Sequence, residues 1–319
     1  MRYGSVCSGI EAATMGWHHM GWEPAFFSEI EDFPRQVLAH HYPDTPCHGD
    51  FTTIKDDDYG SIDLLVGGTP CQSFSVAGLR GGMADERGNL ALEYLRLAQR
   101  KRPRWLVWEN VPGVLSSAGG RDFGAFLGGL VECGYGWAYR ICDAQYWGVA
   151  QRRRRVFVVG YLGDWGRAAA VLFERHSLQG HPAPSREEGE RVAPAVTTGP
   201  PFSRTGNERV ECEAIVPVAY DKQRIGQYGD GEVSSTFCHD ARGVSQAVAS
   251  GLSVRRLTPM ECERLQGFPD NFTQIPYRNK LAEKCPDGPR YKALGNSMAV
   301  PVMRWIGERI QQVEAMTNG

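Results

Sequence analysis

The stretch Ile62 to Gly78, IDLLVGGTPCQSFSVAG, constrains this chain most. Its apolar run of Ile62, Leu64, Leu65 and Val66 suits a strand of a parallel sheet, where both faces are covered and the usual alternation is lost. Gly67, Gly68 and Pro70 end the run abruptly. Cys71 is therefore expected at a strand's carboxyl end, the edge at which open α/β sheets place their ligands. A free cysteine there is either a small buried hydrophobe or a nucleophile on a rigid mount. The rest of the chain has to separate the two.

Short apolar strands and amphipathic helices alternate around that stretch. Strands are expected over Tyr3 to Cys7, Ala25 to Ser28, Cys47 to Asp50, Trp105 to Trp108, Trp137 to Cys142 and Val156 to Leu162. Helices are expected over Ile10 to His19, Asp32 to His41, Leu90 to Arg102 and Asp122 to Glu132. Such alternation predicts an α/β fold with a largely parallel sheet. After about Asp164 the texture changes to Pro, Gly, Ser, Thr and charged residues, which predicts a small irregular second domain. Order returns at Arg255 to Phe268, where Thr258 and Glu261 have the spacing of a capping box and Pro259 sits in the first helical turn. Tyr291 to Val300 then leads into a terminal amphipathic helix running through Ile310.

Composition excludes several classes. There is no apolar run of about 18 residues, so no membrane span is expected, and MRYGSVCSG lacks the pattern of a secretory signal. Nine cysteines without regular spacing, in a chain of 319 residues, fit reduced thiols in a cytoplasmic setting. No C-x2-C pair occurs, and the histidine pairs lack ligand spacing, so no metal site is expected. A formal net charge of −2 leaves room only for a local basic face, which Gln151 to Arg155, QRRRR, would supply.

Three strand ends present chemistry to one edge. Glu29 lies 20 residues after Gly9, the distance at which an acid in a nucleotide-binding βαβ unit meets ribose hydroxyls; alternatively it is a solvated loop acid. Cys71 and Glu109 end two further strands. A thiolate beside an acid suits addition to an electron-poor ring, the acid serving the ring nitrogen that gains electron density. Arg153 and Arg155 share one strand face and Arg152 and Arg154 the other, although a run of charges is more often a solvated edge.

In chain order the sequence carries SGIEAA at Ser8 to Ala13, Glu29, Pro70-Cys71-Gln72, Asp85 to Gly88, Glu109-Asn110-Val111, Gln151-x-Arg153-x-Arg155, Arg256 to Pro259 with Glu261-Cys262, and Gly295-Asn296-Ser297. This series resembles the DNA cytosine-5 methyltransferases over nearly the whole chain. The resemblance implies a Rossmann-like, S-adenosylmethionine-dependent methyltransferase sheet with a small, irregular target-recognition domain. Residues 1–165 would form the catalytic and cofactor-binding domain, 166–285 the recognition domain and 286–319 a return segment. It implies Cys71 as the nucleophile at C6 of a flipped-out cytosine, Glu109 at the N3 side, and Arg153 with Arg155 at the O2 edge and neighbouring phosphate. It also implies cofactor contacts at Ser8, Gly9, Ile10, Glu29, Ile30, Asp50, Phe51, Pro70, Leu90, Asn296 and Met298, and a glycine-rich lid following Cys71. One departure stands out: Glu11 and Ala12 occupy positions at which the family commonly has glycine, placing an acid near the cofactor's methionine end.

The implied partner is double-stranded DNA, with a monomeric enzyme in the cytoplasm of a bacterial or phage-infected cell. A companion restriction endonuclease would leave no trace in this sequence. The alternatives are a transfer-RNA cytosine-5 methyltransferase, a non-catalytic DNA-binding protein on the same fold, and a nicotinamide-dependent dehydrogenase. The long insert between Arg155 and Arg256 favours DNA, and a mere binder or a dehydrogenase leaves Cys71 and Glu109 unexplained.

Overall fold

Segments that bury both faces make the sheet, and the glycines within them set how closely its layers pack. The computed structural model describes residues 1–70, 90–173, 193–194, 247–250 and 253–317. Two units are distinguishable by their internal contacts. The first comprises Met1–Asp143, Arg154–Ala183 and Met298–Gly319, the second Ala144–Arg153 and Pro184–Ser297.

The first unit holds β1 (Arg2–Val6), α1 (Ala12–Trp17), β2 (Glu23–Ser28), α2 (Asp32–His41), β3 (Cys47–His48), β4 (Leu64–Gly67), α3 (Leu90–Lys101), β5 (Trp105–Asn110), α4 (Arg121–Glu132), β6 (Tyr135–Asp143), β7 (Arg154–Leu162), α5 (Trp165–Leu172) and α6 (Val300–Thr317). Its seven strands lie in the order β3-β2-β1-β4-β5-β7-β6. From β3 to β5 all neighbours are parallel, whereas β7 runs antiparallel to both β5 and β6. The largely parallel sheet is thus closed by an antiparallel pair. The physical reason is the short link from Asp143 to Arg154, which has no crossover helix and can join only antiparallel neighbours. Strand order reverses between β1 and β4, so the crevice at their carboxyl ends is a topological switch point.

All six residues of β5 are buried. Trp108 stacks on Phe126 with ring centroids 4.2 Å apart, and the Tyr94 hydroxyl of α3 donates to the carbonyls of Leu65 (3.0 Å) and Val107 (3.2 Å), tying helix to sheet. On the other face α1 lies against α6. A Cβ on Gly16 would come within 2.8 Å of the Arg304 nitrogen, so this close approach depends on glycine, and the Trp17 indole N–H donates to the Met303 carbonyl at 2.6 Å. The helix α5 was not legible in the sequence. It is short, capped by the Asp164 carboxylate on Gly166 N at 2.8 Å, and buries only Ala168, Val171 and Leu172.

In the second unit the capping box forms as its spacing predicts. Thr258 Oγ1 accepts from Glu261 N at 3.3 Å and Glu261 Oε2 accepts from Thr258 N at 2.7 Å, opening the helix Pro259–Gln266. A second helix, Asp287–Asn296, brings Arg290 to the fully buried Glu263 at 3.2 Å. No helix among the described residues is long and apolar enough to cross a membrane.

Candidate active site

The parallel strands deliver one residue after another to a single edge of the sheet. Past β3, the exposed Asp50 accepts from Thr52 N at 2.9 Å and so starts a tight turn that buries Phe51. Directly after β2 comes Glu29. Its Oε2 accepts from Gly9 N at 2.8 Å, its Oε1 from Glu31 N at 2.8 Å, and its own N–H donates to the His48 carbonyl at 3.0 Å. Two backbone N–H groups thus fix the carboxylate, and the residue's own amide ties it to the end of β3. Beside it Ile30 stands 70% exposed, an apolar surface where nothing in the fold needs one.

The turn after β1 is built from alternating left-handed residues, Cys7 (φ 50°), Gly9 (φ 57°) and Glu11 (φ 64°). Ser8 threads it to β2: its N–H donates to the Ser28 carbonyl at 3.0 Å and its Oγ accepts from Ser28 N at 3.1 Å. Ile10 is fully buried beneath the turn. Burial, then the charges of Glu29 and Asp50, push the Cys7 thiol up to about 12, which favours its protonated form. Glu11 turns its side chain inward and caps α1.

Beyond β4 the backbone at Gly68 has no room for a side chain: a Cβ would lie 2.9 Å from Glu109 Oε2 and 3.2 Å from Met298 Cε. The next residue, Thr69, is held twice by β5. Asn110 Nδ2 donates to its carbonyl at 3.0 Å and Trp108 Nε1 to its hydroxyl at 2.9 Å. Pro70 follows, exposed. Cys71 and the glycine-rich stretch to Asn89 lie outside the described residues; Leu90, half-buried, opens α3. At the same edge Glu109 Oε1 meets Arg155 Nε at 3.1 Å, with both side chains largely buried.

In the second unit, Arg153 is 3% exposed and its Nη2 donates to the carbonyls of Gly295 (3.0 Å) and Ser297 (2.7 Å). It thus braces the turn that exposes Asn296. Arg152 and Arg154 are exposed, in keeping with the alternation expected of the run. Arg204, Lys222, Gln223 and Arg224, whose side-chain types suit base reading, lie outside the described residues.

A model of the family described as C-5 cytosine-specific DNA methylase matches residues 1–312. The chain belongs to this family. A Type II methyltransferase of Shigella sonnei, M.SsoII, is 31% identical over 95% of this chain and 78% of its own length. A protein of Escherichia phage P1 named DNA N-6-adenine-methyltransferase is 36% identical over 97% of this chain, which spans 61% of that relative. The crystal structure of an S. pombe Dnmt2 methyltransferase shares the fold with a TM-score of 0.63 at 18% identity, covering both chains fully.

C-5 cytosine-specific DNA methylases are S-adenosylmethionine-dependent enzymes that methylate DNA, and the first unit suits that cofactor. Glu29 offers a fixed acceptor, Ile30 an exposed apolar surface and Asp50 a further acceptor, the kinds of group that could hold a ribose and an adenine. Two supporting groups escaped the sequence reading. His48 bonds Tyr59 through Nδ1 (2.7 Å) and Thr53 through Nε2 (2.8 Å), bracing the Asp50 turn, and Trp108 clamps Thr69. No motif marks either, because their partners are 11 and 39 residues distant in sequence.

Proposed function

We propose that this methylase transfers a methyl group from S-adenosylmethionine to C5 of cytosine in double-stranded DNA, through a covalent bond between Cys71 and C6 of a flipped-out base. The observation that carries this reading is the Glu109–Arg155 pair, 3.1 Å apart, on the edge where Thr69 and Pro70 lead into Cys71. A carboxylate and a guanidinium side by side can address the N3 and O2 edges of one pyrimidine ring.

C5 of cytosine is a weak nucleophile until a bond at C6 makes it enamine-like. In the proposed sequence the Cys71 sulfur adds to C6, the ring's electron pair moves toward N3 and O2, and Glu109 with Arg155 stabilises the charge that develops there. The bound cofactor supplies an electrophilic methyl group on a sulfonium. After C5 has gained the methyl group it loses its proton, the C6–S bond breaks, and Cys71 is regenerated. The base must leave the helical stack for any of this, since a duplex hides both ring faces. The segments 1–165 and 286–319 would carry the chemistry, and 166–285 the reading of sequence by contacts to base edges.

The name of the phage P1 relative describes other chemistry. N6 of adenine is an exocyclic amine that can take a methyl group directly, with no use for a cysteine adduct. About two fifths of that protein also lies outside the match, so the named activity need not reside in the shared part. Bisulfite sequencing of DNA exposed to the protein tests the base and the recognition sequence together, with a transfer RNA substrate run in parallel. Cys71→Ser should lose methyl transfer and keep DNA binding, and 5-fluorocytosine in the target should trap an adduct. Turnover by Cys71→Ser would overturn the covalent route.

A further inference from the structure

Glu11 is the most unusual acid in the first unit. It is a non-glycine residue at φ 64°, ψ 63°, a conformation that a β-carbon disfavours, and it is 1% exposed. Its carboxylate is surrounded by donors. Thr14 N reaches Oε2 at 3.1 Å and Thr14 Oγ1 reaches the same oxygen at 2.7 Å, while Ser5 Oγ donates to Oε1. The Tyr3 hydroxyl lies 2.7 Å from Thr14 Oγ1, so a relay of O–H groups from Tyr3 through Thr14 ends on Glu11. Burial pushes this carboxyl upward and outweighs the hydrogen bonds from Ser5, Thr14 and Ser8 that favour the ionised form.

What the site lacks is a cation. Among the described residues no Lys, Arg or His pairs with Glu11, and only hydrogen bonds oppose its desolvation. A buried carboxyl is ordinarily paired with a cation or kept neutral, and this unpaired one lies under the turn at the switch point of the sheet. The order of the strand ends says what would lie above it. Asp50 and Ile30 at β3 and β2 suit an adenine, Glu29 a ribose, and Gly68 to Pro70 at β4 the approach to the methyl acceptor. The turn after β1 falls between ribose and acceptor, which is where the sulfonium of the cofactor must be.

We infer that Glu11 is the missing counter-charge to the cofactor's sulfonium, acting through the turn as a positioning residue that makes the site prefer S-adenosylmethionine over the uncharged thioether S-adenosylhomocysteine. This rests on the cofactor reading above. The protein thereby gains a means of shedding its product that a glycine at this position does not offer.

Isothermal titration of the full chain with each ligand tests it. Glu11→Gln keeps the shape and can keep the hydrogen bonds, donating to Ser5 and accepting from Thr14, while removing the charge. It should weaken S-adenosylmethionine about tenfold, or ~1.4 kcal/mol, and S-adenosylhomocysteine by less than about twofold. Glu11→Gly, which accepts the left-handed turn without strain, should show the same loss of preference and serves if the first variant misfolds. Equal weakening of both ligands would mean that Glu11 only shapes the turn, and no weakening that its charge is unfelt; either result overturns the inference. Failure of the unaltered protein to bind S-adenosylmethionine at all would instead overturn the cofactor reading beneath it.

Discussion

Two carboxylates at one edge of the sheet are treated in opposite ways. Glu109 is met by a guanidinium at 3.1 Å, so its charge is compensated inside the protein and held in a fixed place. Glu11, more deeply buried, receives only hydroxyl and backbone donors. A paired acid is ready to work on a neutral ring, which brings no charge of its own. An unpaired one is left incomplete until a cation arrives. On the readings proposed above the same functional group would be a tool at the end of β5 and a receptor after β1, and the difference lies in the partner each meets: Arg155 of the neighbouring β7 for Glu109, Ser5 of its own preceding strand and Thr14 of α1 for Glu11.

The largest loss is expected at Glu109. Glu109→Gln should lower kcat by about 10³, within the usual range for loss of a positioned acid–base group, with DNA affinity nearly unchanged in a filter or fluorescence assay. An equal fall in both would make Glu109 a binding residue. Arg155→Met leaves Glu109 in the environment of Glu11 without its donors. A largely buried ion pair broken on one side costs about 3 kcal/mol, so the midpoint of urea unfolding should fall clearly and activity with it. An unchanged midpoint would show that Glu109 is far better solvated than its surroundings suggest.

How much of this could be seen in advance depended on how local each signal was. The helix Asp32–His41 and the capping box at Thr258 were legible because every residue that makes them lies within one or two turns. The strand ends carrying Glu29 and Glu109 were legible for a similar reason, since an apolar run stops where it meets an acid. The inward turn of Glu11 was not. An acid after Gly9 reads equally well as facing a ligand or facing the core, and only the arrival of Ser5 and Thr14 on one side decides it. Arg153 shows the same limit. Alternation placed it on the face of Arg155, but its engagement with the Gly295 and Ser297 carbonyls depends on a segment more than 140 residues away.

A smaller effect is expected where the donors of Glu11 are thinned. Thr14→Val removes the hydroxyl at 2.7 Å and leaves the Tyr3 hydroxyl facing a methyl group. Losing one hydrogen bond to a charged acceptor costs about 2 kcal/mol, readable as a lower midpoint of unfolding in the ligand-free protein. Saturating S-adenosylmethionine should recover part of that loss, because the ligand's cation opposes the same desolvation. Recovery no greater than in the unaltered protein would argue that acid and cofactor do not sense one another.

The smallest signal, and the one most specific to Glu11, is in pH. Burial raises the Glu11 carboxyl above its ordinary 4.5, with Tyr3 and Tyr42 as the neighbouring titratable groups whose own ionisation lies far higher. Between 4.5 and that raised value the folded chain holds a proton that the unfolded chain has released. Stability contributed by this proton is complete below 4.5 and is lost as pH rises through the folded value. In the ligand-free protein Glu11→Gln should remove that part of the slope, measured by urea unfolding from pH 4 upward. Cofactor binding should act in the same sense, since a cation lowers the carboxyl and expels the proton. Calorimetric titration in two buffers of different ionisation enthalpy should then detect proton release in this window for S-adenosylmethionine and less for S-adenosylhomocysteine. Equal release by both would remove the sulfonium from the account and leave Glu11 as a cap alone.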